Sequence, residues 1–187
     1  MTLDTSQFRN GLKIELDGEP FTIVYFQHVK PGKGGAFVRT KLKNLKTGRV
    51  LDRRFRSGEK VQAADIEDRK MQYLYQDGEQ LVFMDSESYD QIPFTTEQVG
   101  DARKYLLENT TVDVLFWRGQ PINIELPAFI EAAISQCEPG LKGDTASGGT
   151  KPATLETGAT VQVPLFLKEG ERIRVDTRTG QYVERVS

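Results

Sequence analysis

The stretch Val29-Lys30-Pro31-Gly32-Lys33-Gly34-Gly35-Ala36-Phe37 decides how the first third of this chain folds. β-Branched and aromatic residues precede it over 21–29, and an alternating run follows it over 36–43. Two such runs joined by a short segment rich in proline and glycine predict a β-hairpin. Pro31-Gly32 suits the centre of a type II turn, because proline presets φ and glycine accepts φ > 0. The pattern therefore places Lys33 at the apex of a hairpin.

The second strand of this hairpin carries positive charge on one of its two faces. Because side chains alternate along a strand, one face takes Ala36, Val38, Thr40 and Leu42. The other face takes Phe37, Arg39, Lys41 and Lys43. Basic residues continue along the chain at Lys46, Arg49, Arg53, Arg54, Arg56 and Lys60. A row of cations that leads to a lysine flanked by glycines indicates a polyanionic partner, and RNA is the favoured one.

The net charge of −2 hides a strong asymmetry along the chain. Residues 1–63 carry 13 Lys and Arg against 6 Asp and Glu, whereas residues 64–127 carry 5 against 13 and residues 128–187 carry 7 against 8. We therefore predict three domains with these boundaries, the first of which faces RNA. We expect the acidic side chains of the middle domain to be solvated and to lie away from phosphate. The alternative is that they face a basic ribosomal protein.

Short strands separated by turn signals predict small β-barrels. In the first domain an alternating run over 12–17 ends at Asp17-Gly18, and Lys46-Thr47-Gly48 precedes a strand over 49–56. Four or five antiparallel strands in about sixty residues predict a small SH3-like barrel, of which KOW-type barrels are RNA-associated relatives.

The sequence of the middle domain predicts two hairpins with a helix between them. Residues 71–85 predict a hairpin with an Asp77-Gly78 turn, and strands over 111–117 and 121–126 predict another. Thr95-Thr96-Glu97-Gln98 has the spacing of a capping box, which predicts a short helix over 96–108. Trp117 is expected to be a core or core-edge residue without a function of its own.

The sequence pattern leaves the secondary structure at the start of the last domain ambiguous. Phe129–Cys137 fits helical spacing as well as a strand, and the composition of 143–157 predicts a flexible loop. Runs over 160–167, 172–175 and 181–186 are separated by glycine turns and predict the strands of an OB-type barrel.

Few side chains could support catalysis or bind a metal. His28 is the only histidine and Cys137 the only cysteine, so Cys/His zinc spacing and an intrachain disulfide are both excluded. Gly32-Lys33 lacks the earlier glycine and the following Ser/Thr of a phosphate-binding loop. Asp85, Glu87 and Asp90 are better explained as a solvated charge cluster than as a metal site. With no signal segment or membrane-spanning run, we expect a cytoplasmic protein without enzyme activity, cofactor or metal.

Three motifs resemble bacterial translation elongation factor P over about residues 8 to 186. They are Lys30-Pro-Gly-Lys-Gly-Gly-Ala-Phe-Val-Arg39 with the following Lys-Leu-Lys-Asn, then Glu138-Pro-Gly-Leu-Lys-Gly-Asp-Thr145, then Arg174-Val-Asp-Thr-Arg-Thr-Gly-Gln-Tyr-Val-Glu-Arg185. The resemblance implies an all-β chain of three small barrels, SH3/KOW-like and then two OB-type, in an elongated, tRNA-like arrangement. It also implies that Phe129–Cys137 is a strand, the first of the last domain.

The resemblance implies a monomeric factor that binds the 70S ribosome between the P and E sites and stimulates peptide-bond formation. It would relieve stalling at consecutive prolines by positioning P-site peptidyl-tRNA, with Lys33 directed at the CCA end. The tip loop would comprise Lys30, Pro31, Gly32, Gly34 and Gly35. Arg39, Lys41 and Lys43 would contact RNA phosphate, in tRNA or rRNA. Contacts with ribosomal proteins are a further implication.

Two points stay open at this level. Lys33 is implied to be the substrate of a lysine-modifying enzyme, but Gly35 stands where some relatives carry a polar residue, so several modifications or none are compatible with the tip. Gly143, Asp144 and Thr145 match a loop that lies near the E-site codon in the family, although a turn-forming role explains the same residues. The alternative function is a general RNA-binding KOW-type protein of ribosome assembly or transcription.

Overall fold

The computed structural model describes residues 1–140 and 148–187. Its strands form three sheets, and the strand pairs with a described register are antiparallel. The described chain divides into two compact units, residues 1–68 with 115–123 and residues 69–114 with 124–187. No helix among the described residues is long and apolar enough to cross a membrane. The predicted all-β class is confirmed, while the three domain boundaries stay predictions.

The first sheet contains the predicted hairpin. Its strands are β1 (Thr2–Asp4), β2 (Lys13–Leu16), β3 (Glu19–Val29), β4 (Phe37–Asn44), β5 (Val50–Arg56) and β6 (Lys60–Ala63). They pair in the order β1-β6-β2-β3-β4-β5. The predicted turn between β2 and β3 is confirmed, with positive φ at Asp17 (52°) and Gly18 (77°) as a type I′ turn requires. The core beneath the sheet includes Ile14, Ile23 and Phe55.

The second sheet contains both predicted hairpins of the middle region. Its strands are β7 (Ile66–Asp77), β8 (Gln80–Asp85), β9 (Gln91–Thr95), β10 (Thr111–Trp117) and β11 (Gln120–Glu125). They pair in the order β11-β10-β7-β8-β9. The predicted Asp77-Gly78 turn is wrong by one residue. Asp77 pairs with Gln80, so the loop is Gly78-Glu79 and the positive φ falls on its first residue.

The capping-box prediction is confirmed, but the predicted helix is too long. The Thr95 side chain accepts a hydrogen bond from the Gln98 backbone, and the Gln98 side chain accepts one from the Thr95 backbone. Helix α1 (Thr96–Val99) then ends at Gly100, whose φ of 63° and ψ of −144° are not helical. A 3₁₀ segment, Gly100–Tyr105, continues the chain. Glycine permits this break because it has no Cβ.

The third sheet contains a strand that the composition did not predict. Its strands are β12 (Phe129–Cys137), β13 (Thr150–Leu155), β14 (Thr160–Pro164), β15 (Arg172–Asp176) and β16 (Gln181–Val186), in the order β14-β13-β12-β15-β16. The strand predicted at Phe129–Cys137 is confirmed. The loop predicted over 143–157 is wrong for β13, where a buried Lys151 and the adjacent Pro152 masked the alternation. Lys151 Nζ donates a hydrogen bond to the Glu138 carbonyl oxygen at 2.6 Å, which satisfies it.

Candidate nucleic-acid interface

The candidate interface begins at the loop that joins β3 and β4. The two strands pair as far as Val29 opposite Phe37, so residues 30–36 form a seven-residue connection. Lys33 is exposed, as is every other residue of this loop except the partly buried Pro31. The type II turn predicted at Pro31-Gly32 is wrong, because the positive φ, 95°, occurs at Gly34 instead. A loop of this length reverses direction without a two-residue turn.

The glycines around Lys33 are not explained by packing within the chain. A Cβ built on Gly32, Gly34 or Gly35 would meet nothing within 4 Å. Only Gly34 has a backbone conformation that disfavours other residues. The absence of side chains at the other two positions therefore leaves open space beside Lys33, which a closely approaching partner could use.

The charged face predicted for β4 is present. Val38 and Leu42 are fully buried on one side, whereas Arg39, Lys41 and Lys43 are exposed on the other. Ala36 was predicted to share the buried face, and that is wrong, because it precedes the strand and is exposed.

Thr40 is a buried polar residue in the strand that carries these cations. Its hydroxyl donates a hydrogen bond to the Arg53 carbonyl oxygen at 2.8 Å, which satisfies the group and ties β4 to β5. This tie fixes the strand on which Arg39 and Lys41 project.

The register of β5 shows which residues of the basic row lie opposite the exposed face of β4. Arg39 lies opposite Arg54, and Phe37 opposite Arg56. The Arg54 guanidinium carbon lies 5.1 Å from the centre of the Phe37 ring. Like charges directly opposite each other destabilise a sheet, so the Arg39–Arg54 pair indicates a surface kept for an external anion. The sequence signal for this pairing was the Lys46-Thr47-Gly48 turn, because the turn sets how β5 aligns with β4.

The unpaired cations of this face include two arginines close to the loop, Arg39 and Arg54. Within the described residues, Arg39, Lys43 and Arg54 form no ion pair. Lys41 instead lies opposite Asp52, with Nζ and Oδ1 3.6 Å apart, so its charge is partly balanced. The interface therefore consists of a bare lysine apex followed by a cluster of arginines with an aromatic ring.

Two cations of the predicted basic row are used within the molecule instead. Arg53 pairs with Asp17 at 3.6 Å and covers the Phe55 ring at 5.4 Å. Lys46 Nζ lies 5.7 Å from the centre of the Trp117 ring, which is 9% exposed, as predicted for a core-edge residue. The basic row is therefore not a single continuous surface.

The contacts of His28, Cys137 and Asp85 give no sign of catalysis or metal binding. His28 is exposed on β3 with Phe26 edge-on at 5.9 Å, and Cys137 belongs to the other compact unit. Asp85 Oδ1 accepts the backbone N–H groups of Glu87 and Ser88, and these bonds hold the pKa of its carboxyl below the ordinary 3.8. No group of three or more potential metal ligands occurs among the described residues.

The loop predicted to lie near the E-site codon, Gly143, Asp144 and Thr145, is outside the described residues.

Comparison with known proteins decides the family. The elongation factor P KOW-like domain matches residues 4–61, the elongation factor P OB domain residues 66–124, and the elongation factor P C-terminal domain residues 130–185. The chain belongs to the elongation factor P family. Membership confirms the KOW-like and OB-type fold class, and the family comprises non-enzymatic translation elongation factors.

Individual relatives agree over the whole chain. It is 56% identical over 184 residues to elongation factor P of Natranaerobius thermophilus, with 98% of each chain covered. It is 55% identical to that of Pelotomaculum thermopropionicum, covering 98% of this chain and 100% of the relative. Among solved structures, eukaryotic translation initiation factor 5A from Methanococcus jannaschii aligns with a TM-score of 0.55 at 24% identity, over 67% of this chain and 92% of that one. That last likeness concerns the fold alone.

Proposed function

We propose that this elongation factor binds the 70S ribosome between the P and E sites and promotes peptide-bond formation at consecutive prolines. Lys33 extends towards the CCA end of P-site peptidyl-tRNA, and the tip loop lets it approach closely. The observation that carries the proposal is the apex itself, where Lys33 is exposed and three adjacent glycine positions have no atom within 4 Å of a built Cβ.

The proposed chemistry requires no acid or base from the factor. Holding two reacting groups in attack geometry lowers the barrier entropically, and prolines place the peptidyl-tRNA poorly for attack. A slender flexible ammonium follows the tRNA backbone through a narrow space, where a planar guanidinium is bulkier. A modifying enzyme that lengthens Lys33 would add reach and hydrogen-bond donors.

The charged face of β4 supplies affinity in this proposal. Arg39, Lys41 and Lys43 contact phosphates of tRNA and rRNA, with affinity that falls as salt rises. Gly143, Asp144 and Thr145 lie near the E-site codon. The domains are 1–63, 64–127 and 128–187, and the acidic middle one faces away from phosphate or towards a basic ribosomal protein.

A reconstituted translation reaction tests the proposal. Protein purified from its own source is added to a message that encodes three consecutive prolines, with a proline-free message alongside. We expect selective rescue of the proline message, near-complete loss of rescue in Lys33→Ala, and only partly weakened ribosome binding in that variant. Lys33→Arg keeps the charge and is also expected to fail, since it can neither be modified as a lysine nor fit as narrowly.

Lys168→Ala is the matched control, because Lys168 is an exposed lysine of the other compact unit. It should rescue like the unaltered protein. Absence of rescue by the native-source protein would sink the proposal and favour a general RNA-binding role. Rescue by Lys33→Ala would keep the function and remove Lys33 from it.

A further inference from the structure

Trp117, the only tryptophan of the chain, is the last residue of β10 and lies close to two cations. Its ring centre is 4.6 Å from the Arg118 guanidinium carbon and 5.7 Å from Lys46 Nζ. Arg118 also forms an ion pair with Glu15 of β2, whose side chain is only 17% exposed. The turn that carries Trp117 belongs to the same compact unit as the first sheet. These four side chains, Glu15, Lys46, Trp117 and Arg118, are called the basal clamp below.

The backbone at Arg118 is an independent sign that its side chain is needed. Arg118 and Gly119 have φ of 53° and 77°, and they form the two-residue loop between Trp117 and Gln120. Such loops favour Asn, Asp or Gly first, because a residue with a Cβ is strained at positive φ. An arginine retained there, stacked on the tryptophan and paired with Glu15, indicates that these contacts offset the strain.

The basal clamp lies at the end of the β3–β4 hairpin opposite Lys33. Lys46 follows β4, whose last residue is Asn44, whereas Lys33 precedes its first residue, Phe37. At a rise near 3.3 Å per residue, the eight residues of β4 span about 25 Å. A rotation of about 10° at the base would thus move the apex by about 4 Å. Displacements near 1 Å at a reacting centre can lower a rate about a hundredfold.

We propose that Glu15, Lys46, Trp117 and Arg118 are positioning residues that set the direction of the Lys33 hairpin. The proposal rests on the proposed function of Lys33. It gives Lys46 a role different from that proposed for Arg39, Lys41 and Lys43, since Lys46 acts on the indole ring and not on phosphate. Glu15 acts indirectly, because its ion pair holds Arg118 against the indole ring.

Glu15→Gln is the most informative variant, because it removes the ion pair and leaves every group in contact with the indole ring. Amide hydrogen exchange over residues 115–123 measures how often this turn leaves the first sheet. We expect exchange there to accelerate about two- to fivefold, as the loss of a pair of this kind shifts the opening equilibrium. Lys46→Met should act in the same direction, and Lys46→Arg should restore slow exchange because it keeps the cation.

Asp52→Asn is the matched control. It also removes one carboxylate from a cross-strand ion pair of the first sheet, with Lys41 at 3.6 Å, but it does not touch the basal clamp. Exchange over 115–123 should be unchanged in this variant. Unchanged exchange in both Glu15→Gln and Lys46→Met would overturn the clamp, whatever the translation assay gives.

The translation assay separates positioning from binding. In the basal-clamp variants we expect the maximal rescue at saturating factor to fall severalfold, with little change in the factor concentration that gives half-maximal rescue. Lys43→Met, which removes a cation without an aromatic partner, should instead raise that concentration and keep the maximum. A fall in affinity alone in Glu15→Gln would refute positioning. If the unaltered protein gives no rescue, the proposed function fails, while the exchange data still decide whether the clamp exists.

Discussion

The first and third sheets both carry arginines on exposed strands, but they use them in opposite ways. On the first sheet Arg39 and Arg54 lie directly opposite each other and have no acidic partner among the described residues. On the third sheet Arg174 lies between Glu131 and Glu184, with nitrogen–oxygen distances of 3.0 and 2.7 Å. Further ion pairs on or beside the third sheet, within the part of the chain that the structure describes, are Arg172–Glu156, Arg178–Asp176 and Arg185–Glu171.

The difference shows that cross-strand register, and not the count of charges, decides whether a basic residue is available to a partner. A carboxylate opposite an arginine balances its charge locally. The pKa of Arg174 is accordingly raised, first by its hydrogen bond to Glu131 and then by the charge of Glu184. The first sheet leaves its charge uncompensated near Lys33, where an anionic partner would supply the missing counter-charge.

Neutralising the unpaired cations should have the largest effect. In the double variant Arg39→Met/Lys43→Met we expect ribosome binding to weaken strongly, because two phosphate contacts are lost. The slope of log affinity against log salt should become shallower by about 1.4 to 1.8. Binding measured by co-sedimentation over a salt series checks both expectations. Arg172→Met/Arg185→Met is the control with paired arginines, and an equal loss of affinity there would erase the contrast between the sheets.

Removing a paired arginine should affect stability and not binding. Arg174→Met removes the cation of β15 that pairs with Glu131 on β12 and with Glu184 on β16, so both ion pairs are lost. We expect the melting temperature to fall by ~1–3 °C, with ribosome affinity unchanged. Calorimetry and the same co-sedimentation assay measure the two quantities. A clear loss of affinity would mean that the third sheet also contacts RNA.

Freeing a paired lysine on the first sheet should have a smaller effect of opposite sign. Asp52→Asn removes the partner of Lys41, and both side chains are largely exposed, at 79% and 55%. Exposed pairs contribute little to folding, so stability should hardly change. Ribosome affinity should rise modestly at low salt, and the gain should vanish at high salt. A decrease in affinity would show that Lys41 needs Asp52 to hold its position.

Acidification should weaken the third sheet through its carboxylates. The hydrogen bonds from Arg178, first from its side chain and then from its backbone, hold the pKa of Asp176 below the ordinary 3.8. A carboxyl whose pKa is lower in the folded state stabilises the fold above the unfolded-state pKa, and this contribution disappears as pH falls through the folded-state value. Denaturant unfolding between about pH 5 and pH 2 should therefore show stability falling with pH.

Asp176→Asn tests the origin of that slope. It should be less stable at neutral pH and show a flatter dependence below pH ~4. An unchanged slope would assign the acid sensitivity to other carboxylates, of which Asp85 is a candidate because its pKa is lowered by the backbone N–H groups of Glu87 and Ser88.

Local signals in the sequence predicted most elements and much of the candidate site. The capping box at Thr95, the hairpins, and the alternation of Val38 and Leu42 with Arg39 and Lys41 are all present. Each of these features depends on residues only a few positions apart, so a short segment of sequence is enough to predict it.

Two of the errors occur where a distant residue decides, and a third, at Gly100, is local. The strand Thr150–Leu155 was missed because its buried Lys151 is stabilised by the carbonyl oxygen of Glu138. The helix after Thr95 was too long in the prediction, because glycine at position 100 ends it by backbone freedom alone. Lys46 was assigned to an RNA-facing row, since nothing near it in the sequence indicates the indole ring that it meets.

By itself the sequence determined the all-β class, the exposed lysine between glycines and the family to which the chain belongs. Only the tertiary structure decided which cations are free, because charge compensation depends on the strand register that sets Arg54 opposite Arg39 and Glu131 opposite Arg174. Alternation along one strand is a local property, whereas the partner across the sheet can be any residue of the chain.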